Sequence, residues 1–181
     1  MEMENDGDSN LSAIADFVLG LNNVLGASTY TYIVDPTPAN GGTGTDEIKV
    51  ALIYKPAQVT PIGAAIADSN AIFDRHPLAQ CFQLNTNGEK FSVIVNHFKS
   101  KSCSSASAQD LDQNDGQSCY NSKRRLQALQ LQTFSDTVKF KSQDQDLVLL
   151  GDFNAYGEED PLDVLRSFGW QHLLPNSYSY V

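Results

Sequence analysis

The sequence predicts a mixed α/β (α+β) fold in which sheets and helices form layers. Segments rich in apolar and β-branched residues alternate with segments whose apolar residues recur at helical spacing. Clusters of Asn, Gly and Pro separate these segments, and some neighbouring strands are close enough along the chain to form hairpins. This alternation favours a layered enzyme architecture over a helix bundle or a repeat protein. A chain of 181 residues has the length of a single domain, which we place at residues 1–181.

The first half of the chain predicts one helix followed by strands. Apolar residues recur at helical spacing over residues 14–25, and Gly26 follows as a helix stop. Residues 30–34 are rich in β-formers and predict a strand. A loop over residues 35–44, with two prolines and a Gly-Gly-Thr-Gly run, leads to a second predicted strand over residues 48–54.

The second half predicts three more strands and two helices. Each strand is a short apolar run that ends in turn-forming or polar residues, and the last helix has Pro161 in its first turn. The predicted elements are a strand over residues 80–84, a hairpin turn over 85–88, a strand over 91–97, a polar loop over 100–121, a helix around 126–138, a buried strand over 147–150 and a short helix over 161–168.

Composition limits the classes of function. The formal net charge of −10 argues against a protein that binds nucleic acid through a broad basic surface. It does not exclude an enzyme whose acidic groups hold divalent cations, because the cations then supply the positive charge. No apolar run approaches the roughly 20 residues of a membrane span, and no secretory leader precedes the first helix.

Two of the three cysteines bracket a loop with few apolar residues to order it. A bridge between Cys103 and Cys119 would close a loop of about 15 residues, which the chain-entropy model values at ~3 kcal/mol. We predict this disulfide, and it would place the protein in an oxidising compartment. Cys81 lies in an apolar stretch and is predicted to be a free, buried thiol.

The motif Gly151-Asp152-Phe153-Asn154 directly follows the apolar run of the last predicted strand. In an extended segment Asp152 and Asn154 point to the same side. A carboxylate beside a neutral amide suits phosphoryl transfer, which needs an anion to align water and neutral donors for charge on the phosphate oxygens. The alternative is a β-turn, in which both residues serve as turn formers.

A second polar motif, Asn96-His97-Phe98-Lys99-Ser100-Lys101, ends the strand over residues 91–97. By alternation, His97, Lys99 and Lys101 face one way and Asn96 the other. A histidine that titrates near neutrality, beside lysines that can hold a phosphate, suits a general acid. The alternative is a surface strand end with a solvated lysine pair.

Several other charged residues are candidates on weaker grounds. Glu2 and Glu4 share a face if the N-terminus is a strand, which makes a candidate site for a hard cation, although an acidic terminus is more often simply solvated. Asp46 and Arg75 precede predicted strands. Arg124 opens the helix around residues 126–138 and is predicted to be solvated or to meet phosphate. Motifs for nucleotide-binding loops, serine hydrolases, dithiol redox sites and zinc sites do not occur.

Together these segments resemble the endonuclease/exonuclease/phosphatase superfamily, the fold of pancreatic deoxyribonuclease, and more narrowly its bacterial extracellular nuclease branch. The similarity runs from end to end and in order. It rests on the Met-Glu-Met-Glu-Asn-Asp opening, the strand over residues 48–54 with Asp46 before it, the segment Arg75-His76-Pro77-Leu78, the histidine motif, the cysteine-bracketed loop and the Gly-Asp-Phe-Asn motif.

The resemblance implies a four-layer α/β/β/α sandwich and metal-dependent hydrolysis of phosphodiester bonds. Within that activity it favours an extracellular DNA endonuclease. Its implied site has His97, Asp152 and Asn154 as catalytic groups. Arg75, Lys99 and Asn96 would bind the substrate phosphate, and Mg²⁺ (or Ca²⁺ or Mn²⁺) would bind Glu2, with Asp46 as a weaker candidate ligand. The implied partner is DNA or RNA, without a membrane, and the implied location is secreted.

Two departures from the family pattern bear on activity. The family's fold begins with a strand that carries an asparagine upstream of the glutamate, and it ends with a strand that carries an aspartate-histidine pair. This chain starts at the glutamate and stops at residues 178–181, so we expect a fold incomplete at both termini and a poor nuclease when made alone. A phosphomonoesterase, a sphingomyelinase-like lipid phosphodiesterase and a non-catalytic fragment remain alternatives.

Overall fold

The computed structural model describes residues 1–173, which form a mixed α+β fold of helices and short sheets. The strands are β1 Glu2–Glu4, β2 Thr31–Tyr32, β3 Ile48–Val50, β4 Ile53–Tyr54, β5 Val59–Ala67, β6 Leu78–Leu84, β7 Lys90–His97 and β8 Leu147–Asp152. The α-helices are α1 Ala13–Leu25, α2 Asn121–Ser142 and α3 Asp160–Ser167. Residues 178–181, where the resemblance breaks off, lie outside the described part. None of the described helices is both long and apolar enough to cross a membrane.

The largest sheet has the strand order β5-β6-β7-β8. Its first three strands are antiparallel neighbours, whereas β8 runs parallel to β7. In this register His97 lies opposite Asp152, so the carboxyl ends of both strands meet at one edge of the fold. Two smaller antiparallel pairs, β1-β3 and β2-β4, form a second layer.

Two apolar clusters hold the layers together, as burial of one face of each element requires. One contains Ile94 and Phe98 and joins the large sheet to α2 and α3. The other contains Val50 and Phe82 and joins the opposite face of that sheet to the smaller strand pairs. Helix α1 lies against β1 and β2. The order of layers is therefore α/β/β/α, and the predicted fold class is confirmed.

Three strand predictions need correction. Strand β5 was not predicted, because Pro61 and Gly63 interrupt its apolar run; it tolerates them as an edge strand with a register shift between Ile62 and Ile66. The predicted strand over residues 48–54 is divided into β3 and β4, which pair with different partners. Strand β6 starts at Leu78, two residues earlier than the prediction.

Strand β8 is not the buried strand that its apolar run predicts. Val148 is 37% exposed and Leu150 is 44% exposed, whereas Leu147 and Leu149 contact the cluster beneath α2 and α3. Within residues 1–173, β8 pairs only with β7. No described element covers the face of β8 that carries Val148 and Leu150. The run is apolar on both faces, but the described residues cover only one of them.

The disulfide prediction agrees with the structure, where Cys103 and Cys119 are bonded with a Cα–Cα distance of 5.3 Å. Cys81 is free as predicted but half-buried rather than buried, because its cross-strand neighbour Ile62 also leaves that face of the sheet partly open. Arg124 is 0% exposed, which corrects the prediction of a solvated residue. Its guanidinium donates to the carbonyl oxygens at the end of the disulfide loop, including that of Cys119 at 2.7 Å.

Candidate active site

Three residues from three different strands meet at the carboxyl ends of β7 and β8. The Nε2 atom of His97 lies 3.9 Å from Oδ2 of Asp152, its register partner on β8. The Nδ1 atom of His97 lies 3.0 Å from Oε2 of Glu2, which β1 carries. The parallel pairing of β7 and β8 thus brings together His97 and Asp152, which are 55 residues apart in the sequence.

The carbonyl oxygen of Phe98 joins two further predicted site residues. It accepts hydrogen bonds from Nδ2 of Asn154 at 2.9 Å and from a terminal nitrogen of Arg75 at 3.2 Å. The other terminal nitrogen of Arg75 lies 3.4 Å from the carboxylate of Asp46. A neutral amide and a guanidinium are therefore oriented by the same main-chain oxygen, one residue beyond His97.

The Asp152-Phe153-Asn154 segment is a turn, and the turn itself builds the site. Oδ1 of Asp152 accepts a hydrogen bond from the main-chain N–H of Asn154 at 2.7 Å. Asn154 has a φ of 46°, a left-handed conformation that asparagine tolerates better than most residues. The expectation that both side chains project from one extended strand is wrong, because β8 ends at Asp152. The turn returns Asn154 to the end of β7.

Strands β7 and β8 approach closely at Asn96 and Gly151, which are register partners. Asn96 is 1% exposed, and its amide donates to the carbonyl of Leu150 at 2.7 Å. This position inside the fold does not favour the predicted contact of Asn96 with a phosphate, which stays a prediction. A role in fixing β8 against β7 accounts for its geometry.

The pKa of His97 lies below its ordinary value of 6.5. Burial is the largest cause and the positive charge of Arg75 the second, while Glu2, Asp152 and Asp46 oppose the shift only in part. The imidazole of the free protein is therefore mostly neutral at pH 7. A neutral imidazole between two carboxylates can accept a proton or donate a hydrogen bond, so the geometry suits acid-base work at a leaving oxygen.

The fold of this chain is similar to that of several solved structures, although the sequences differ widely. A scan against protein-family models gave no match, and a search of curated proteins gave none either. Similar solved structures include an endonuclease/exonuclease/phosphatase family protein from Bacteroides thetaiotaomicron, with a TM-score of 0.51, 14% sequence identity and coverage of 83% of this chain and 49% of that chain. A mannosyl-6-phosphatase from the same bacterium has a TM-score of 0.51 at 13% identity, covering 86% of this chain and 54% of that chain.

A functionally unknown conserved protein from Enterococcus faecalis has a TM-score of 0.52 at 15% identity, covering 92% of this chain and 72% of that chain. The chain has the endonuclease/exonuclease/phosphatase fold. At these identities the likeness concerns the fold alone. The chain spans about half the length of the two Bacteroides proteins.

Proteins of the endonuclease/exonuclease/phosphatase superfamily generally use a divalent metal, and some oxygen donors of this chain suit such an ion. Glu2 offers a partly exposed carboxylate of the hard-oxygen type that Mg²⁺ and Ca²⁺ prefer. Within residues 1–173, no three His, Cys, Asp or Glu side chains are placed to share one metal ion. Mg²⁺ commonly binds through one or two carboxylates plus substrate phosphate, so Glu2 fits such a site. The carboxylate of Asp46 contacts Arg75 and the N–H of Ile48, and its assignment as a ligand stays a prediction.

Two parts of the site in this endonuclease/exonuclease/phosphatase fold were not predicted from the sequence. The first is the carbonyl of Phe98, because every residue has a main-chain oxygen and its use leaves no sequence signal. The second is Asp74, which lies next to Arg75 and contacts the ammonium groups of Lys99 and Lys123. In the sequence, only its position beside Arg75, a predicted phosphate-binding residue, indicated that Asp74 could belong to the site.

Proposed function

We propose that this protein is a divalent-metal-dependent phosphodiester hydrolase and that its substrate is DNA. The observation that carries the proposal is the convergence of Glu2, His97, Asp152 and Asn154 at adjacent strand ends of an endonuclease/exonuclease/phosphatase fold. These groups provide carboxylates, a titratable imidazole and a neutral amide at adjacent strand ends. That combination suits attack of water on a phosphate.

Each group has a role that its geometry supports. Oδ1 of Asp152 accepts the hydrogen bond of the turn, which leaves Oδ2 for substrate. The carboxylate orients the attacking water and takes its proton. Asn154 uses one amide hydrogen for Phe98 and has a second for a phosphate oxygen. Arg75 carries five N–H donors, of which the Phe98 carbonyl and the Asp46 carboxylate each engage one. These donors stabilise negative charge on the phosphate.

His97 is the group that exchanges a proton with the leaving oxygen. Its contact with Glu2 and its proximity to Asp152 hold the imidazole plane in one orientation. The neutral imidazole accepts the proton that Asp152 takes from water, and the imidazolium then delivers a proton to the leaving oxygen. A divalent metal held by Glu2, whether Mg²⁺, Ca²⁺ or Mn²⁺, would supply electrophilic stabilisation of the phosphate.

We also propose that the protein acts outside the cell, as an extracellular nuclease would. The disulfide between Cys103 and Cys119 supports this location, because such bonds persist in oxidising compartments. The disulfide loop is fixed to the enzyme body, since Gln117 exchanges hydrogen bonds with Asp160 at the start of α3. The specific assignment to the bacterial extracellular branch rests on the sequence resemblance.

A phosphomonoesterase is the second candidate, because one protein with the same fold is a mannosyl-6-phosphatase. The two activities are separated by substrate. Plasmid DNA reports hydrolysis of internal phosphodiesters, and a sugar phosphate reports removal of a terminal phosphate. The purified chain should be assayed on both, with Mg²⁺ and with excess chelator.

The decisive variant is Asp152→Asn, which keeps the shape of the side chain and removes its charge. We expect plasmid nicking that needs the metal, and we expect the variant to slow it by roughly 10²–10⁴-fold, as loss of an acid-base group does. Asp136→Asn is the matched control, because Asp136 is exposed on α2 and bonds to Gln132. Nicking that persists unchanged in Asp152→Asn would refute the proposed site. Hydrolysis of the sugar phosphate alone would favour the second candidate, and neither activity would favour a non-catalytic role.

A further inference from the structure

Two lysines beside the site share one carboxylate. The ammonium of Lys99 lies 3.4 Å from Oδ2 of Asp74, and Lys123 donates a hydrogen bond to Oδ1 of Asp74 at 2.7 Å. Burial alone would raise the pKa of Asp74, but Lys123 and Lys99 lower it overall, so the carboxylate is ionised at neutral pH. Two positive charges against one negative charge leave one positive charge in surplus, in a chain whose formal net charge is −10.

The lysine pair is held in place before any ligand binds. The main-chain N–H of Lys99 donates to the buried side chain of Gln127 at 2.8 Å, and its ammonium lies 5.0 Å from the centre of the Tyr120 ring. Lys123 lies in the first turn of α2, close to Gln127. The side chains of Lys99 and Lys123 are 28% and 21% exposed, so each is partly ordered against the protein and partly open to solvent. A ligand that binds such fixed groups loses less entropy than one that orders free lysines.

The pair lies one residue beyond the groups assigned to the scissile phosphate. Asp74 directly precedes Arg75, and Lys99 directly follows Phe98, whose carbonyl binds Arg75 and Asn154. On both chain segments the lysine pair therefore lies next to the groups assigned to the scissile phosphate, and its surplus positive charge lies where a nucleic-acid strand would continue past that phosphate.

We propose that Lys123, together with Lys99, forms a subsite for the phosphate that neighbours the scissile one on a nucleic-acid strand. Each ammonium has three N–H donors, of which Asp74 engages one, so donors remain for phosphate oxygens. This inference rests on the proposed function and narrows it, since a phosphomonoester has no second phosphate to occupy the subsite. The subsite therefore favours a polymeric substrate.

The test is equilibrium binding of a fluorescent single-stranded DNA of about 12 nucleotides, with excess chelator to prevent hydrolysis and over a series of salt concentrations. Each phosphate contact contributes about 0.7 to the slope of log affinity against log salt for single strands. Lys123→Gln should reduce the slope by about 0.7 and weaken binding about fivefold at 0.1 M salt. Lys123→Arg should restore most of both, because it restores the charge.

Lys141→Gln is the matched control, with the same change of charge on an exposed lysine of the same helix. It lies 18 residues further along α2, about 27 Å at 1.5 Å per residue, and should leave the slope unchanged. A structural role of Lys123 would lower the melting temperature of the variant without changing the salt slope more than the control does.

Equal slopes for Lys123→Gln and Lys141→Gln would overturn the subsite, and so would failure of the unsubstituted protein to bind the oligonucleotide. If the slope changes as expected but the unsubstituted protein hydrolyses no DNA, the subsite stands and the proposed hydrolase activity fails. If DNA is hydrolysed but Lys123→Gln binds normally, the hydrolase stands and the subsite fails.

Discussion

Replacement of Gly151 by alanine should destabilise the protein strongly, because no side chain fits between β7 and β8 at this position. A Cβ atom on Gly151 would lie 2.0 Å from the carbonyl oxygen of Asn96 and 2.9 Å from its carbonyl carbon. Ordinary van der Waals contacts between heavy atoms are about 3.5 Å or longer. The two strands would have to move apart by more than about 1 Å, at the point where they align His97 with Asp152.

The expected cost has two parts. Forcing extra volume into a packed region costs about 1–3 kcal/mol. Gly151 has a φ of 120°, a conformation that non-glycine residues rarely adopt, and such strain costs a further 1–3 kcal/mol or so. We therefore expect Gly151→Ala to lower the free energy of unfolding by roughly 2–6 kcal/mol, a large share of the roughly 5–15 kcal/mol typical of a domain.

Urea unfolding followed by circular dichroism measures this change. Gly20→Ala is the matched control, since Gly20 lies on the exposed side of α1 and a Cβ there meets nothing within 4 Å. Alanine in a helix should stabilise the protein by about 0.5–1 kcal/mol relative to glycine. The two substitutions add the same methyl group and should act in opposite directions. A free energy of unfolding for Gly151→Ala within about 0.5 kcal/mol of the unsubstituted protein would refute the close approach of β7 and β8.

Two further predictions concern stability. Cys103→Ser should lower the free energy of unfolding by about 3 kcal/mol, the loop-closure value for the bond to Cys119. Reductant should have the same effect on the unsubstituted protein and no effect on the variant. Cys81→Ser is the control, because Cys81 forms no disulfide. Asp74→Asn should remove a stabilisation that depends on pH, because Lys123 and Lys99 hold the pKa of Asp74 below its ordinary 3.8 against the effect of burial. A depressed carboxyl pKa contributes stability above the unfolded value of 3.8 that is lost as the pH falls through the lower folded value. The free energies of unfolding of the two proteins should therefore differ at about pH 6 and become more alike toward about pH 2. A difference that does not change with pH would contradict the ion-pair assignment.

Much of the fold and some of the site could be predicted because local patterns encode them. Helix α1 ends at Leu25 with Gly26 following, as its spacing and stop signal predict, because helical periodicity and the left-handed freedom of glycine are properties of a short segment. The pairing of Cys103 with Cys119 follows from the polar loop between them. The proximity of His97 to Asp152 agrees with the site that the resemblance implies, in which both are catalytic groups.

Other features depended on contacts between distant parts of the chain, which a local pattern does not contain. The exposure of Leu150 is decided by which layers lie over β8, and its apolar run is the same whether a layer is present or not. The burial of Arg124 depends on the carbonyl groups of the disulfide loop that fold onto it.

By itself, the sequence determined the helices, most strands, the disulfide and the residue types at two strand ends, since each of these depends on periodicity or composition within a few turns of chain. Only the tertiary structure decided that Phe98 orients both Arg75 and Asn154, and that Lys99 and Lys123 share Asp74. The physical reason is strand register. Pairing β7 with β8 in one register sets which side chains converge, and many registers are compatible with the same alternation of apolar residues.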